Sequence, residues 1–155
     1  MKISELVGDD LIIEELKGSR KQDVLLEFSD LLYRAGKVAD REGLARILAA
    51  REVLGSTGIG DGVAIPHGKL KGLKDIVVAF GRSKAGVEFD SLDGAPAHLF
   101  FLLVAPEDAP GEHLKALARI SRLMKNAELR ESLMKAAGAK EIRRVLSRDE
   151  DVRNG

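Results

Sequence analysis

Apolar residues recur along this chain with two different periods, and the changes of period predict the order of its elements. Ile3 to Val7 predicts a short helical turn, broken by Gly8-Asp9-Asp10. Leu11-Ile12-Ile13 reads as a brief strand, with the run ending by Gly18. Ser19 has Gln22 three residues on, the spacing of a capping box, and is expected to open a helix. Leu25, Phe28, Leu32 and Ala35 form its apolar stripe, and Gly36 suits its stop. A second helix is expected from Asp40 to about Leu54, burying Leu44, Ile47 and Leu48. Asp75-Ile76-Val77-Val78-Ala79-Phe80 reads as a strand and Val87-Glu88-Phe89 as a short extended piece. Leu92-Asp93-Gly94 marks a turn. Leu99-Phe100-Phe101-Leu102-Leu103-Val104 is a continuous apolar run closed by Ala105-Pro106, which suits a strand buried on both faces. A long helix follows from about Gly111 to Lys125, with His113, Leu117, Ile120 and Met124 on one face. Asn126 reads as the cap of another helix that turns Leu129 and Leu133 inward and ends at Gly138. Lys140 to Leu146 is the last amphipathic helix, and Ser147 to Gly155 reads as a polar, frayed end.

Strands interleaved with helices, one of them buried on both faces, imply an α/β domain with a partly parallel sheet. A hairpin around Asp93-Gly94 would make that sheet mixed. No internal repeat, low-complexity tract or long linker divides the chain, so one domain is expected over residues 1–147 with a polar tail at 148–155.

One stretch does not fit the alternation of elements. Ser56 to Gly68 carries glycines at alternate positions (Gly58, Gly60 and Gly62), then an extended segment ending in Pro66-His67-Gly68. Such density lets backbone N–H groups approach a ligand and form an anion-binding concavity, with Thr57, Gly58, Gly60, Gly62 and Gly68 as its candidate members. Pro66 stiffens the segment and biases Ile65 towards an extended conformation, so His67 is held at its end. Two readings are open for His67: a turn histidine bonded locally, or a reactive imidazole.

The helical phases add neighbours. At ~100° per residue, Arg51 falls within ~20° of Leu44, on the apolar face at the helix end nearest the loop. It reads either as a snorkelling arginine that complements the helix C-terminus or as a guanidinium aimed at an anion. His113 lies in the first turn of its helix, on the apolar face, and His98 heads the buried strand as a structural histidine.

Composition narrows the chemistry. Lys+Arg and Asp+Glu are 25 each among 155 residues, so no net charge favours nucleic acid. There is no cysteine, which excludes thiol catalysis and thiolate metal sites. No apolar run approaches the ~20 residues of a membrane helix, and the start lacks a signal-peptide pattern; a cytoplasmic protein is expected. Val63 stands where a dinucleotide fingerprint needs its third glycine, and Leu70 where a nucleotide phosphate loop needs serine or threonine. There is no Gly-x-Ser-x-Gly elbow and no close histidine pair for a metal. What remains is a histidine beside an anion nest. A neutral imidazole nitrogen attacks a phosphoryl group directly, and catalysis of that transfer is mainly positioning and charge stabilisation.

Gly60-Asp61-Gly62-Val63-Ala64-Ile65-Pro66-His67-Gly68 resembles the signature of the fructose/mannitol-type enzyme IIA of the bacterial sugar phosphotransferase system, a family that includes the nitrogen-regulatory enzyme IIA. The resemblance extends to Arg51-Glu52, Gly81-Arg82-Ser83, Phe89-Asp90-Ser91-Leu92-Asp93-Gly94, the run from Leu99 to Pro106, and His113-Leu114-Lys115-Ala116-Leu117-Ala118. These landmarks keep the family's order from about Ile3 to Leu146. It implies a single α/β domain whose mixed, mostly parallel sheet carries helices on both faces. It implies a phosphotransferase in which His67 takes a phosphoryl group from the histidine phosphocarrier protein and forms a phosphohistidine. His113 would orient and stabilise that group, and Arg51 would hold its charge. No metal or organic cofactor is implied. The acceptor or partner would be a IIB domain or a regulated target protein, with no nucleic acid and no membrane span. Because no fused IIB, membrane or phosphocarrier domain is visible, the regulatory role is the first expectation. A sugar-specific role, passing phosphate to a IIB cysteine for fructose or mannitol uptake, is the alternative.

Overall fold

A computed structural model of the chain describes residues 2–154. Its centre is the continuous apolar run, which forms strand β6 (Ala97–Pro106). Successive side chains on a strand point to opposite faces. Leu99, Phe101, Leu103 and Ala105 thus join one buried layer, and Phe100, Leu102 and Val104 the other. Helices α2 (Lys21–Arg34) and α3 (Arg41–Val53) cover the second layer through Val24, Leu25, Phe28, Leu32, Leu44 and Leu48. The first is covered by α1 (Ile3–Leu6), α4 (Pro110–Leu123), α5 (Ala127–Lys135) and α6 (Ala139–Asn154).

Around β6 the sheet also contains β1 (Ile12–Ile13), β2 (Gly58–Gly60), β3 (Val63–Ala64), β4 (His67–Leu70) and β5 (Val77–Val87). The order is β1-β5-β6-β3-β2, with β4 also paired to β6. Three pairings are parallel (β1–β5, β3–β6 and β4–β6) and two antiparallel (β5–β6 and β2–β3). The expected α/β architecture, the mixed sheet, the helices on both faces and the turn at Asp93-Gly94 are all present.

Strands β3 and β4 are two parts of one line along β6. Val63 pairs with Leu99 and His67 with Leu103, with no change of register between them. The break falls at Ile65-Pro66, where proline has no N–H to give the ladder. Ile65 donates its N–H to the Thr57 carbonyl, and Pro66 accepts from Leu103 N–H. Ile65 faces β2, and because the Thr57 N–H goes to Glu52 the Ile65 carbonyl stays open for another use.

Four expectations need correction. Ser19 does not cap α2, whose N-cap is Arg20 with no side-chain cap bond. Arg20 instead makes a parallel bridge to Glu88, which keeps the chain extended past Ser19. Leu11 closes a short 3-10 turn, so β1 holds Ile12 and Ile13 alone. Strand β5 starts at Val77 and runs on to Val87, well past Phe80. Arg82 and Ser83 there are buried, and the Arg82 guanidinium donates to the backbone carbonyls of Leu133 (2.8 Å), Ala136 (2.7 Å) and Glu14 (3.1 Å). These bonds satisfy carbonyls left open where α5 ends. Finally, residues 147–154 are not a frayed tail. They are the second half of α6, and Glu150 within them is wholly buried. Gly155 lies outside the described residues.

Candidate functional site

His67 opens β4, half-buried, on the line that points Val63 and Ile65 into the layer under α4. Its Nδ1 lies 2.7 Å from the Ile65 carbonyl. A carbonyl only accepts, so Nδ1 carries the hydrogen and Nε2 keeps the lone pair. The stiff Ile65-Pro66 segment thus fixes both the ring and its tautomer.

His113 comes from the first turn of α4, as its helical phase predicted, and it is buried. The two imidazoles meet edge to face, with ring centroids 5.4 Å apart and planes at 79°. His113 Nε2 is buried without a hydrogen-bond partner among the described residues. Such a group is costly to leave unmade and marks a place for an acceptor from outside the chain.

Both imidazoles are held below the ordinary histidine range. For His67 the largest cause is burial; the bond to the Ile65 carbonyl pulls the other way, and the Arg51 charge lowers it further. For His113 burial leads again, followed by the neighbouring His67 and by Lys69. The site therefore keeps both rings neutral near pH 7.

Arg51 is placed with a correction. The buried stripe of α3 is Leu44, Leu48 and Glu52, while Arg51 is half-exposed beside it. Its Nη1 donates to the Gly55 carbonyl at 2.9 Å, capping its own helix, yet its charge reaches His67. The capping reading is met by that bond, and a guanidinium has five N–H donors, so others are left for the anion reading.

The glycines divide. Gly60 and Gly62 have positive φ (96° and 75°) and form the β2–β3 turn with Asp61, whose N–H donates to Asp93. Gly62 precedes Val63, which pairs with Leu99, four residues before the partner of His67. At ~3.3 Å per residue that is about 13 Å away along β6. Gly58 donates its N–H to Ser56 Oγ and packs against Ser91. Thr57 donates both its N–H and its hydroxyl to Glu52. The expected cradle is therefore a hairpin that carries the Ile65-Pro66-His67 segment. Gly68 alone stays beside the histidine, and its reason is packing: a Cβ there would lie 2.8 Å from Ile47 Cγ2 on α3. Gly68→Ala is expected to cost about 1–3 kcal/mol by overpacking. Thermal unfolding checks this, and a melting temperature equal to wild type would show that α3 yields freely.

Two residues near the histidines were not singled out as site members from the sequence. Lys69 shares the face of His67 two residues on, a spacing readable once β4 is known to be a strand. Glu52 lies four residues after Leu48 in an apolar register, where a carboxylate is an anomaly.

Among the described residues no helix is long and apolar enough to cross a membrane. The sequence model of "Phosphoenolpyruvate-dependent sugar phosphotransferase system, EIIA 2" matches residues 5–149. The fructose-specific EIIABC component of Bacillus subtilis (strain 168) is 43% identical over 136 residues, 88% of this chain but only 21% of that protein. The chain thus spans about a fifth of that relative. The nitrogen regulatory protein of Bradyrhizobium diazoefficiens is 41% identical over 152 residues, 95% of each chain. The crystal structure of nitrogen regulatory protein IIA-Ntr from Neisseria meningitidis superposes with a TM-score of 0.86 at 39% identity, covering 93% of this chain and 98% of that one. With its model matched over nearly the whole length, the chain belongs to the EIIA 2 family of the phosphoenolpyruvate-dependent sugar phosphotransferase system, whose members are phosphotransferase components.

Proposed function

We propose that His67 accepts a phosphoryl group on Nε2 from a phosphorylated histidine phosphocarrier protein, and that the chain acts as a nitrogen-regulatory-type enzyme IIA. The observation that carries the acceptor role is the pairing of two rings. The Ile65 carbonyl holds His67 so that Nε2 is the nucleophilic nitrogen. The unpartnered His113 Nε2 stands beside it, able to donate to a phosphoryl oxygen.

In the transfer, the donor's N–P bond breaks and its ring nitrogen keeps the electron pair. The Nε2 lone pair of His67 forms the new N–P bond. His67 Nδ1 keeps its proton and goes on donating it to the Ile65 carbonyl, so the step needs no general base. Arg51 supplies positive charge to the phosphoryl oxygens, and His113 orients them. The half-buried site limits water around the phosphohistidine.

The regulatory reading draws on the relatives of that name that match almost end to end. A second reading, a sugar-specific IIA that hands the group to a IIB cysteine, draws on the 43% identity to the fructose-specific component. The test is incubation with phosphorylated histidine phosphocarrier, which should give an acid-labile, base-stable label. Efficient passage of that label to any fructose- or mannitol-type IIB domain would overturn the purely regulatory role. His113→Ala is expected to fold and still take up label, but with acceptance slowed by about 10-fold to 100-fold or with a shorter-lived phosphohistidine. Unchanged rate and lifetime would return His113 to a packing role.

A further inference from the structure

We infer that Glu52 is a positioning residue for His67, acting through Thr57 and Ile65. This rests on His67 being the phosphoryl acceptor. A carboxylate in the apolar stripe of α3 is an expensive choice for packing. Glu52 is 8% exposed and is committed on all sides. Its Oε1 accepts the Thr57 N–H at 3.0 Å and lies 3.2 Å from Lys21 Nζ, and its Oε2 accepts the Thr57 hydroxyl. Lys21 lies over the Phe89 ring, with the exposed Asp90 at 3.3 Å on its solvent side.

From Thr57 the connection continues into the site. The Thr57 carbonyl accepts the Ile65 N–H at 3.0 Å, and the Ile65 carbonyl accepts His67 Nδ1–H at 2.7 Å. Ile65 is followed by Pro66, so the two ends of this residue move together with little slack. A displacement of Thr57 therefore reaches the histidine ring. The bonds to β6 go to Gly62 and Pro66, so Ile65 turns its N–H the other way, where Thr57 holds it. Glu52, through its two bonds to Thr57, fixes that partner. The histidine tautomer is set by the partner of its second nitrogen, so holding Ile65 also holds the lone pair on Nε2.

Glu52→Gln keeps the shape and one acceptor for Thr57 but removes the charge that fixes Lys21 and the hydroxyl. The tautomer of His67 is read by 15N NMR in the unphosphorylated protein, alongside the rate of label uptake from phosphorylated histidine phosphocarrier. Wild type is expected to show one tautomer, with hydrogen on Nδ1. Glu52→Gln is expected to show a mixture and to accept label roughly 10-fold to 100-fold more slowly. Thr57→Val, which deletes the hydroxyl but leaves the Glu52–Lys21 pair, should move both readouts the same way. Asp90→Asn, on the exposed side of Lys21, should leave them at wild type. Wild-type tautomer and rate in both Glu52→Gln and Thr57→Val would overturn the inference. A wild-type protein that takes no label would sink the acceptor role of His67, while the tautomer comparison would still decide whether Glu52 positions the ring.

Discussion

His67→Ala is expected to take up no phosphoryl label from phosphorylated histidine phosphocarrier, while losing about 1 kcal/mol of stability or less. No other histidine can substitute. His98 stands five residues before Leu103, the β6 partner of His67, which at ~3.3 Å per residue puts it about 16 Å from the site, and His113 is buried behind the His67 ring. Label retained by the variant would show that the nucleophile lies elsewhere. The variant also has a spectroscopic signature. His113 is lowered mainly by burial and next by His67, so removing His67 should move the His113 titration upward. The wild-type pH profile follows from the same shifts. The reactive form is neutral, and both rings sit below the ordinary value of ~6.5. Acceptance should therefore stay flat as pH falls from 7 through ~6.5 and decline only below it. The linkage has a definite sign. The unfolded chain binds these protons first, so stability falls as pH drops from ~6.5 towards the lowered folded values. NMR midpoints above 6.5 for His67 and His113 would reverse both statements.

The parts of this site that were legible in the sequence are those that local rules decide. Pro66 announced a stiff entry to His67, and helical phase put His113 on the inner face of α4. The apolar run from Leu99 gave the buried central strand. What failed was any inference that depended on a distant partner. The glycine spacing suggested an anion nest, but Asp93, Ser91 and the β3–β6 register make a hairpin of it. Phase placed Arg51 within ~20° of Leu44, yet a one-residue difference put Glu52 inside, because Lys21 from α2 and Thr57 were there to pair with it. The predicted strand likewise stopped at Phe80, short of Arg82, because the carbonyls of α5 that receive its guanidinium lie far along the chain. A buried polar group carries no hydrophobic signal, and its compensation lies far away in sequence.

Glu150 is the largest case of that kind, and its removal is expected to cost about 3–5 kcal/mol. It falls four residues after Leu146 and eight after Ile142, in the buried register of α6. Its carboxylate accepts the N–H groups of Ile3 at 2.8 Å and Ser4 at 2.6 Å, and the Arg119 Nε at 3.0 Å. Those N–H groups belong to the first turn of α1, which has no other side-chain cap. Glu150→Ala would leave the two N–H groups without their buried acceptor and Arg119 without its ion pair, so the melting temperature should drop by roughly 10 °C. Deleting residues 148–155 should do at least as much, which tests whether the domain ends at 147. The effect depends on pH. Burial pushes the Glu150 carboxyl up, but the bonds from Ser4, Ile3 and Arg119 outweigh it and hold the group below its usual range. A depressed carboxyl contributes its stabilisation above the unfolded value of ~4.3 and loses it as pH falls through the folded value. Glu150→Gln cannot titrate, so its deficit against wild type should be full at neutral pH and shrink below about pH 4. A deficit that stays constant across that range would mean that shape, and not charge, holds α1 to α6.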